Sequence, residues 1–266
     1  MNSLLKEERQ RLILEALHES KKVTVQELRR RFGTSEVTIR RDLQELAATG
    51  VLQRAHRGAV VAVPAPPEPP IIHRMVLEQT SKVSIARAAA ELVHDGDSIF
   101  VGSGSTTAYL GRYLVERSNL TVVTNALNIA AELASNAKNI TVVMTGGIIR
   151  PDELSALGHI AELALLEVRV DKVFMGMQAI SIDGGLTTDH LPEVTTTRKI
   201  FSMAPEVIVL ADHTKFGRMA AAYIAPVKRI TTLVTDAATD RSILSQLERL
   251  GINILLADIN SDSKRR

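Results

Sequence analysis

The chain has no cysteine, and that absence removes disulfides, thiolate zinc sites and cysteine nucleophiles together. It suits a reducing cytosol. No apolar run approaches the roughly 18 residues that a membrane-spanning helix needs. The first residues hold neither a charged-then-apolar leader nor a small-residue cleavage site. A cytoplasmic location is therefore expected, with neither export nor membrane insertion. The seven histidines show no ligand spacing, so no metal is expected, and no motif asks for a cofactor. There is no internal repeat, and only one stretch of biased composition.

What is present is ordinary globular material: 266 residues, 45% hydrophobic and 23% charged, enough for a small domain beside a medium one. Net charge is +2, but residues 1–63 carry 12 Lys and Arg against 8 Asp and Glu, leaving 20 against 22 for the remainder. A basic small module on a near-neutral larger one suggests a polyanion partner for the first and separate work for the second. Between them lies "PAPPEPP", Pro64 to Pro70, with five of the nine prolines. Its composition predicts an extended, semi-rigid spacer. The expected organisation is a DNA-binding domain at 1–63, a linker at 64–70, a ligand-binding domain at 71–260 and a tail at 261–266.

Residues 1–63 show three successive helical faces: Leu12, Ile13, Ala16 and Leu17; Val25, Leu28 and Phe32; Ile39, Leu43 and Leu46. Thr24 with Glu27 forms a capping box, Gly33 can end the second helix, Ser35 can cap the third and Gly50 can end it. "VLQR" and "AVV" around "AHRG" read as two short strands and a tight turn. This is a winged helix-turn-helix pattern. A helix entering the major groove needs small or polar residues at its start, positive charge, and an apolar face for its own bundle. "TSEVTIRRDL", Thr34 to Leu43, has all three. The candidate DNA contacts are Thr24, Ser35, Glu36, Thr38, Arg40 and Arg41, with Arg54, His56 and Arg57 at the wing tip. An arginine there can fork onto guanine or neutralise a phosphate, and the sequence does not choose. Asp42 would repel DNA and is expected to turn aside and pair with a neighbouring cation.

After residue 70 the rhythm becomes strand and helix in alternation. Strands are expected at 98–101, 120–124, 140–144, 172–176, 206–211, 230–235 and 253–257. Helices are expected at 85–93, 107–114, 126–135, 160–166, 193–204 and 240–250. Strands this apolar must be covered on both faces, so the fold class is α/β, a doubly wound, mostly parallel sheet behind the winged helix-turn-helix. Ligands of such sheets sit at the carboxyl ends of strands.

Arg9, Ile13 and Leu17 at four-residue steps, followed by "SEVTIRRDL", resemble the helix-turn-helix signature of the DeoR family of bacterial transcriptional regulators. "HDGDSIF", "LTVVTNAL", the glycines at 146 and 147, and "ADHTKFG" at 211–217 are similar to that family's sensor domain. The resemblance covers nearly the whole chain. It implies a regulator of sugar metabolism, most simply a repressor, whose larger domain binds a phosphorylated sugar and alters operator affinity. A homodimer or homotetramer is expected, since two recognition helices must span an operator.

"VGSGSTT", Val101 to Thr107, follows an expected strand and opens an expected helix. Glycines permit close approach, while hydroxyls, backbone N–H groups and a helix N-terminus supply donors for a phosphate. The candidate effector contacts are Gly102, Ser103, Gly104, Ser105, Thr106 and Thr107, with Asn125, Gly146, Gly147, Asp183, Lys199, Asp212 and Lys215. Asp189, His190 and Glu193 are further polar groups near strand ends. The family usually has Asp-Ser-Gly-Thr-Thr in this loop; Gly102 replaces the Asp and Ser105 a Thr, so the loop is closer to that of ribose-5-phosphate isomerases. An isomerase with an attached DNA-binding module is thus the alternative reading. Proton transfer between adjacent carbons needs a placed base and a group to handle the oxygen. The corresponding region, "GMQAISIDGGLTTDH", has Asp183 but no lysine-glycine run, so no catalytic residue is expected.

Overall fold

The computed structural model describes residues 4–20, 22–48, 52–55, 58–61 and 65–258. The chain forms two compact units, Met1–Ala65 and Pro66–Arg266.

In the first unit, α1 (Lys6–Ser20) buries Ile13, Ala16 and Leu17 together with Arg9. After β1 (Lys22–Thr24) comes α2 (Val25–Phe32). Thr24 starts it: its Oγ1 accepts the Glu27 amide at 3.1 Å, and the Glu27 carboxylate accepts the Thr24 amide at 3.3 Å. Gly33, at φ +62°, ends it in the left-handed region that a Cβ disfavours. The third helix, α3 (Glu36–Ala48), begins where Ser35 Oγ accepts the Thr38 amide at 3.1 Å. β2 (Leu52–Ala55) and β3 (Gly58–Val61) follow, and the antiparallel order is β1-β3-β2. The sequence pattern suggested two strands; β1, only three residues between two helices, is too short to show a period of two. Leu28, Ile39, Leu43 and Leu52 are among the fully buried side chains that hold the three helices and the sheet together. Gly50, His56 and Arg57 lie outside the described residues, as do the positions of the tail.

The second unit opens with α4 (Ile71–Arg74) and α5 (Gln79–Ala90). α5 starts six residues before the expected Ile85, because its first turns bury Ser81, Lys82 and Ser84, which carry no apolar signal. Then come β4 (Ser98–Val101), α6 (Ser105–Leu114), β5 (Leu120–Thr124), α7 (Leu127–Asn136) and β6 (Ile140–Met144). A hairpin, β7 (Ile148–Arg150) and β8 (Ser155–Leu157), leads to α8 (His159–Leu166) and β9 (Lys172–Gly176). β10 (Ala179–Ser181), β11 (Gly185–Thr188), α9 (Glu193–Ser202), β12 (Glu206–Leu210) and β13 (Ala222–Ala225) follow. The unit closes with β14 (Thr232–Asp236), α10 (Arg241–Arg249) and β15 (Asn253–Ala257).

The main sheet has seven strands in the order β15-β14-β12-β9-β4-β5-β6, and every pairing in it is parallel. Successive residues serve opposite layers: Ile99 and Val101 pack into one apolar cluster and Phe100 into the other, and Ile208 and Leu210 alternate likewise with Val207 and Val209. The chain runs outward from β4 to β6, then returns to β9 on the other side and runs outward again. β4 and β9 are therefore the place where strand order reverses, and a crevice opens beyond their carboxyl ends. A smaller antiparallel sheet, β10-β11-β13, stands beside it. Neither this sheet nor the β7–β8 hairpin was expected, since their strands are three or four residues long. Among the described residues no helix is long and apolar enough to cross a membrane.

Candidate functional site

Two regions carry chemistry, one in each unit. In the first, α3 buries Ile39, Leu43 and Leu46, so its other face is free. Arg41 stands out with 81% of its side chain exposed and only a 3.5 Å contact to Glu45, one turn on. Arg40 is engaged by Glu36, with Nε at 2.9 Å and Nη2 at 2.7 Å from the same carboxylate oxygen. Ser35 and Thr38 share a hydrogen bond of 2.8 Å at the helix start. The oxygens of Thr24 and Ser35 are committed to capping α2 and α3. Asp42 turns inward and meets Arg9 across the bundle, Nε to Oδ2 at 2.5 Å and Nη2 to Oδ1 at 3.0 Å. The sequence reading missed Val37, which is 76% exposed on the first turn of α3. It lies off the Ile39–Leu43–Leu46 face, and that offset was the available signal. The Arg54 side chain, with His56 and Arg57, falls outside what the structure describes.

In the second unit, the loop between β4 and α6 closes over the crevice. Gly102 N–H donates to the Phe174 carbonyl at 2.9 Å, tying the loop to β9. Ser103 N–H donates to Asn125 Oδ1 at 3.1 Å, and Asn125 Nδ2 in turn reaches the Ala156 carbonyl at 3.3 Å. Gly104 takes φ +143° and begins α6 without a side-chain cap. The first-turn N–H groups of that ten-residue helix thus have no intrahelical acceptor and no capping side chain. Ser103, Gly104, Ser105 and Thr106 line a cavity of about 60 Å³, together with Gly176 and Leu210 at the ends of β9 and β12.

The cavity wall also carries six charged side chains. Arg74, Arg150 and Lys215 face Glu68, Glu153 and Glu193. Arg74 bonds Glu153 and, at 3.1 Å, Glu68; Arg150 bonds Glu193 at 3.0 Å; Lys215 bonds Glu68 at 2.6 Å. Burial works against the charge on Arg74, but Glu68 and Glu153 more than offset it and hold its pKa above the ordinary value. Burial raises the Glu153 carboxyl in spite of Arg74. Burial also pushes Glu193 up to about 7, against the opposing pull of Arg150 and with help from Glu153 and Glu68. Lys82, whose pKa burial lowers, donates to the Arg74 and Leu77 carbonyls at 2.6 and 2.5 Å and so fixes the backbone that carries Arg74.

Of the residues singled out from the sequence, the fold brings Ser103, Gly104, Ser105, Thr106, Glu193 and Lys215 to this cavity. Others support it from behind. Gly102 packs against Met175, Asn125 braces the loop, and Thr107, fully buried, turns its hydroxyl back to the Gly104 carbonyl at 3.0 Å. Asp212 caps the 3₁₀ turn His213–Lys215 through the Thr214 amide at 3.0 Å, and it lines an adjoining cavity. The remaining candidates are not on the wall. Gly146 and Gly147 make the turn from β6 to β7, at φ +66° and +119°. Asp183 sits in the β10–β11 turn. Lys199 is drawn to Glu162 of α8 at 3.3 Å. Asp189 exchanges two hydrogen bonds with Gln178, at 3.0 and 2.8 Å. His190 has its pKa lowered by burial and by Arg150. Among the described residues no cluster of three His, Asp or Glu side chains offers a metal site.

Sequence reading missed Glu68, Arg74, Arg150 and Glu153 altogether. Each comes from a segment without a motif: the proline stretch, a four-residue helix, and the hairpin with the 3₁₀ turn Pro151–Glu153 that follows β7. Only the count of charges in otherwise apolar surroundings hinted at them.

Comparison with known proteins matches a domain in each unit. Residues 9–64 match the DeoR-like helix-turn-helix domain, and residues 77–237 the DeoR C terminal sensor domain. The chain is 30% identical to the transcriptional repressor AccR of Agrobacterium fabrum, over 95% of this chain and 98% of that one. It is 31% identical to the glycerol-3-phosphate regulon repressor of Escherichia coli K12, over 88% of this chain and 92% of that one. Among solved structures, a D-ribose-5-phosphate isomerase in complex with phospho-erythronic acid is 21% identical. It covers 52% of this chain and 54% of its own at a TM-score of 0.39, a likeness too slight to carry an argument. The two repressors bear the names of regulators, which does not favour the isomerase alternative. With one domain model on each unit and relatives aligned over nearly its whole length, the chain belongs to the DeoR family of DNA-binding transcriptional regulators.

Proposed function

We propose that the chain is a repressor of a sugar-catabolism operon, and that a phosphorylated sugar bound in the second unit controls its affinity for the operator. The observation that carries this reading is the hydroxyl-bearing loop at the uncapped start of α6, which opens into a cavity that also holds Arg74, Arg150 and Lys215. The backbone donors of residues 103–106 suit a phosphate, and the three cations suit its charge. Glu153 and Glu193 suit the sugar's hydroxyls, as acceptors when ionised and as donors when protonated. In this reading occupancy is felt as a conformational preference and not as turnover. The relative named as a glycerol-3-phosphate regulon repressor supports repression and a link to the metabolism of a small phosphorylated compound.

On the DNA side, Arg40, Arg41, Ser35, Glu36, Thr38 and the exposed Val37 form the reading surface. Thr24 at the start of α2, with Arg54, His56 and Arg57, completes the DNA contacts of this reading. A homodimer or homotetramer sets two such surfaces about 34 Å or a multiple apart, and the effector acts by favouring one arrangement of subunits over another. Thermal melts against a panel of pentose, hexose and polyol phosphates test the proposal. A cognate ligand at 100 times its dissociation constant adds about 2.7 kcal/mol. The same ligand must change operator affinity in a gel-shift titration. A panel in which no member moves the melt removes the effector, and ketose or aldose formation from any member removes the regulator-only mechanism.

A further inference from the structure

The cations Arg74 and Lys215 already hold an anion that belongs to the chain itself. Glu68 Oε1 accepts from Lys215 Nζ at 2.6 Å, and its Oε2 from Arg74 Nη1 at 3.1 Å. Two more hydrogen bonds pin the backbone on either side. Gln178 Nε2 donates to the Pro66 carbonyl at 3.2 Å, and Arg74 Nε to the Pro69 carbonyl at 2.9 Å. The stretch read from composition as an extended, semi-rigid spacer is thus fastened, from Pro66 onward, to the wall of the ligand cavity. Prolines at 66, 67, 69 and 70 restrict its φ angles, so it moves as a stiff piece and not residue by residue.

This segment also divides space. Glu68, Arg74, Gln178 and Lys215 line both the 60 Å³ cavity under the loop and a second cavity of about 270 Å³ beside it. Neither reaches the roughly 300 Å³ at which small-molecule pockets begin, and the inner one holds only about two waters. A phosphate monoester seeks the same donors as a carboxylate, with more charge and three acceptor oxygens.

We propose that residues 66–70 are a strap that a ligand phosphate displaces. In the unliganded protein Glu68 occupies Arg74 and Lys215; the incoming phosphate takes its place, the two cavities become one, and the segment leading to the DNA-binding unit is set free. The proposal rests on the effector reading above and assigns it a regulatory part: occupancy is reported through the linker.

Because the chain has no cysteine, Ala65→Cys offers a single site for a spin label at the end of the strap. Three full-length forms carry it: otherwise unchanged, Glu68→Gln and Lys215→Gln. Inorganic phosphate and a set of pentose and hexose phosphates serve as probes, with binding measured by calorimetry. Both substitutions mobilise the label without any probe, and saturating probe does the same to the unchanged form. The two then part: Glu68→Gln binds the probes about tenfold more tightly because the competitor is gone, and Lys215→Gln about tenfold more weakly because a ligand contact is gone. An immobile label in Glu68→Gln, or unchanged affinity in that variant, overturns the strap. Probe binding with no change at the label overturns it while leaving the effector reading intact. A mobile label in Glu68→Gln with no probe bound by any form overturns displacement and the effector reading together.

Discussion

The guanidinium of Arg9 grips the carboxylate of Asp42 with two hydrogen bonds, joining α1 to α3 inside the first unit. The two residues are 33 positions apart, and Asp42 is 2% exposed. An acidic residue in the middle of a helix offered to DNA is thereby hidden from it, and Arg9, which would otherwise add positive charge at the surface, becomes a brace. Asp42 raises the Arg9 pKa, chiefly through the hydrogen bond and against the cost of burial. Asp42→Ala strands that cation and should cost about 3–5 kcal/mol of the unit's stability, whereas Arg9→Met with Asp42→Leu together should fall near neutral. Urea unfolding of the three forms decides. A loss below about 1 kcal/mol in the single variant means that the pair is not structural.

Among the described residues Arg41 has no such partner, only Glu45 at 3.5 Å. Arg41→Ala should leave stability within about 0.5 kcal/mol and should lower the slope of log affinity against log salt by about 1 if the side chain neutralises a phosphate. Binding measured at several salt concentrations checks it. A parallel shift that falls on one operator and spares altered ones instead assigns Arg41 to a base edge.

Ser105 lies in the first turn of α6 and is 5% exposed at the cavity wall. Ser105→Asp places a negative charge where the proposed phosphate sits, so the effector response should vanish while operator binding survives, because the two lie in separate units. Gel shifts with and without ligand, alongside circular dichroism, read both. Loss of operator binding as well, with an altered spectrum, would mean that the substitution unfolds the sensor.

Glu193 titrates near 7 in the folded protein and near 4.3 in an unfolded chain. Between those values the folded state binds more protons, so its contribution to stability is complete below about 4.3 and is lost as pH rises through about 7. The loss amounts to about 4 kcal/mol at most. Glu193→Gln removes the titration, so the difference in stability between variant and parent should move in the variant's favour from pH 4 to 8. Unpairing Arg150 adds an offset that does not change with pH, because its guanidinium stays charged throughout. A difference that stays flat across the range rules out the buried carboxyl.

His213 shows the same sign at higher pH. Its Nδ1 lies 2.9 Å from the fully buried carboxylate of Asp236, and that bond raises its pKa above the ordinary 6.5. The stability it adds is complete below about 6.5 and fades as pH rises through its folded value. His213→Gln should therefore cost most in acid and progressively less toward pH 9, and an equal cost at both ends would show that the imidazole does not gain charge in the fold.

Regular elements were readable because periodicity is local. Ile39, Leu43 and Leu46 announce their helix, and five of the seven strands of the main sheet lie where the apolar runs put them. The loop 102–107 was readable for a similar reason, since glycine and hydroxyl residues stand between a strand and a helix that are both legible. Short elements were not. β1, the β7–β8 hairpin and the small sheet are three or four residues per strand, and their pairing depends on partners far along the chain. Lys199 shows the converse: the sequence puts a lysine near a strand end, and α8 supplies Glu162 as its partner off the cavity wall.

By itself the sequence determined the kind of protein this is, because capping residues, helical faces, an alternating strand rhythm and a glycine-rich turn act over a few residues and survive without knowledge of the fold. Which charges meet was decided only by tertiary structure. Arg9 with Asp42, Arg74 with Glu153, and Lys215 with Glu68 are separated by 33, 79 and 147 positions. Coulomb and hydrogen-bond energies depend on distance in space and on exclusion of water, and neither can be read from separation along the chain.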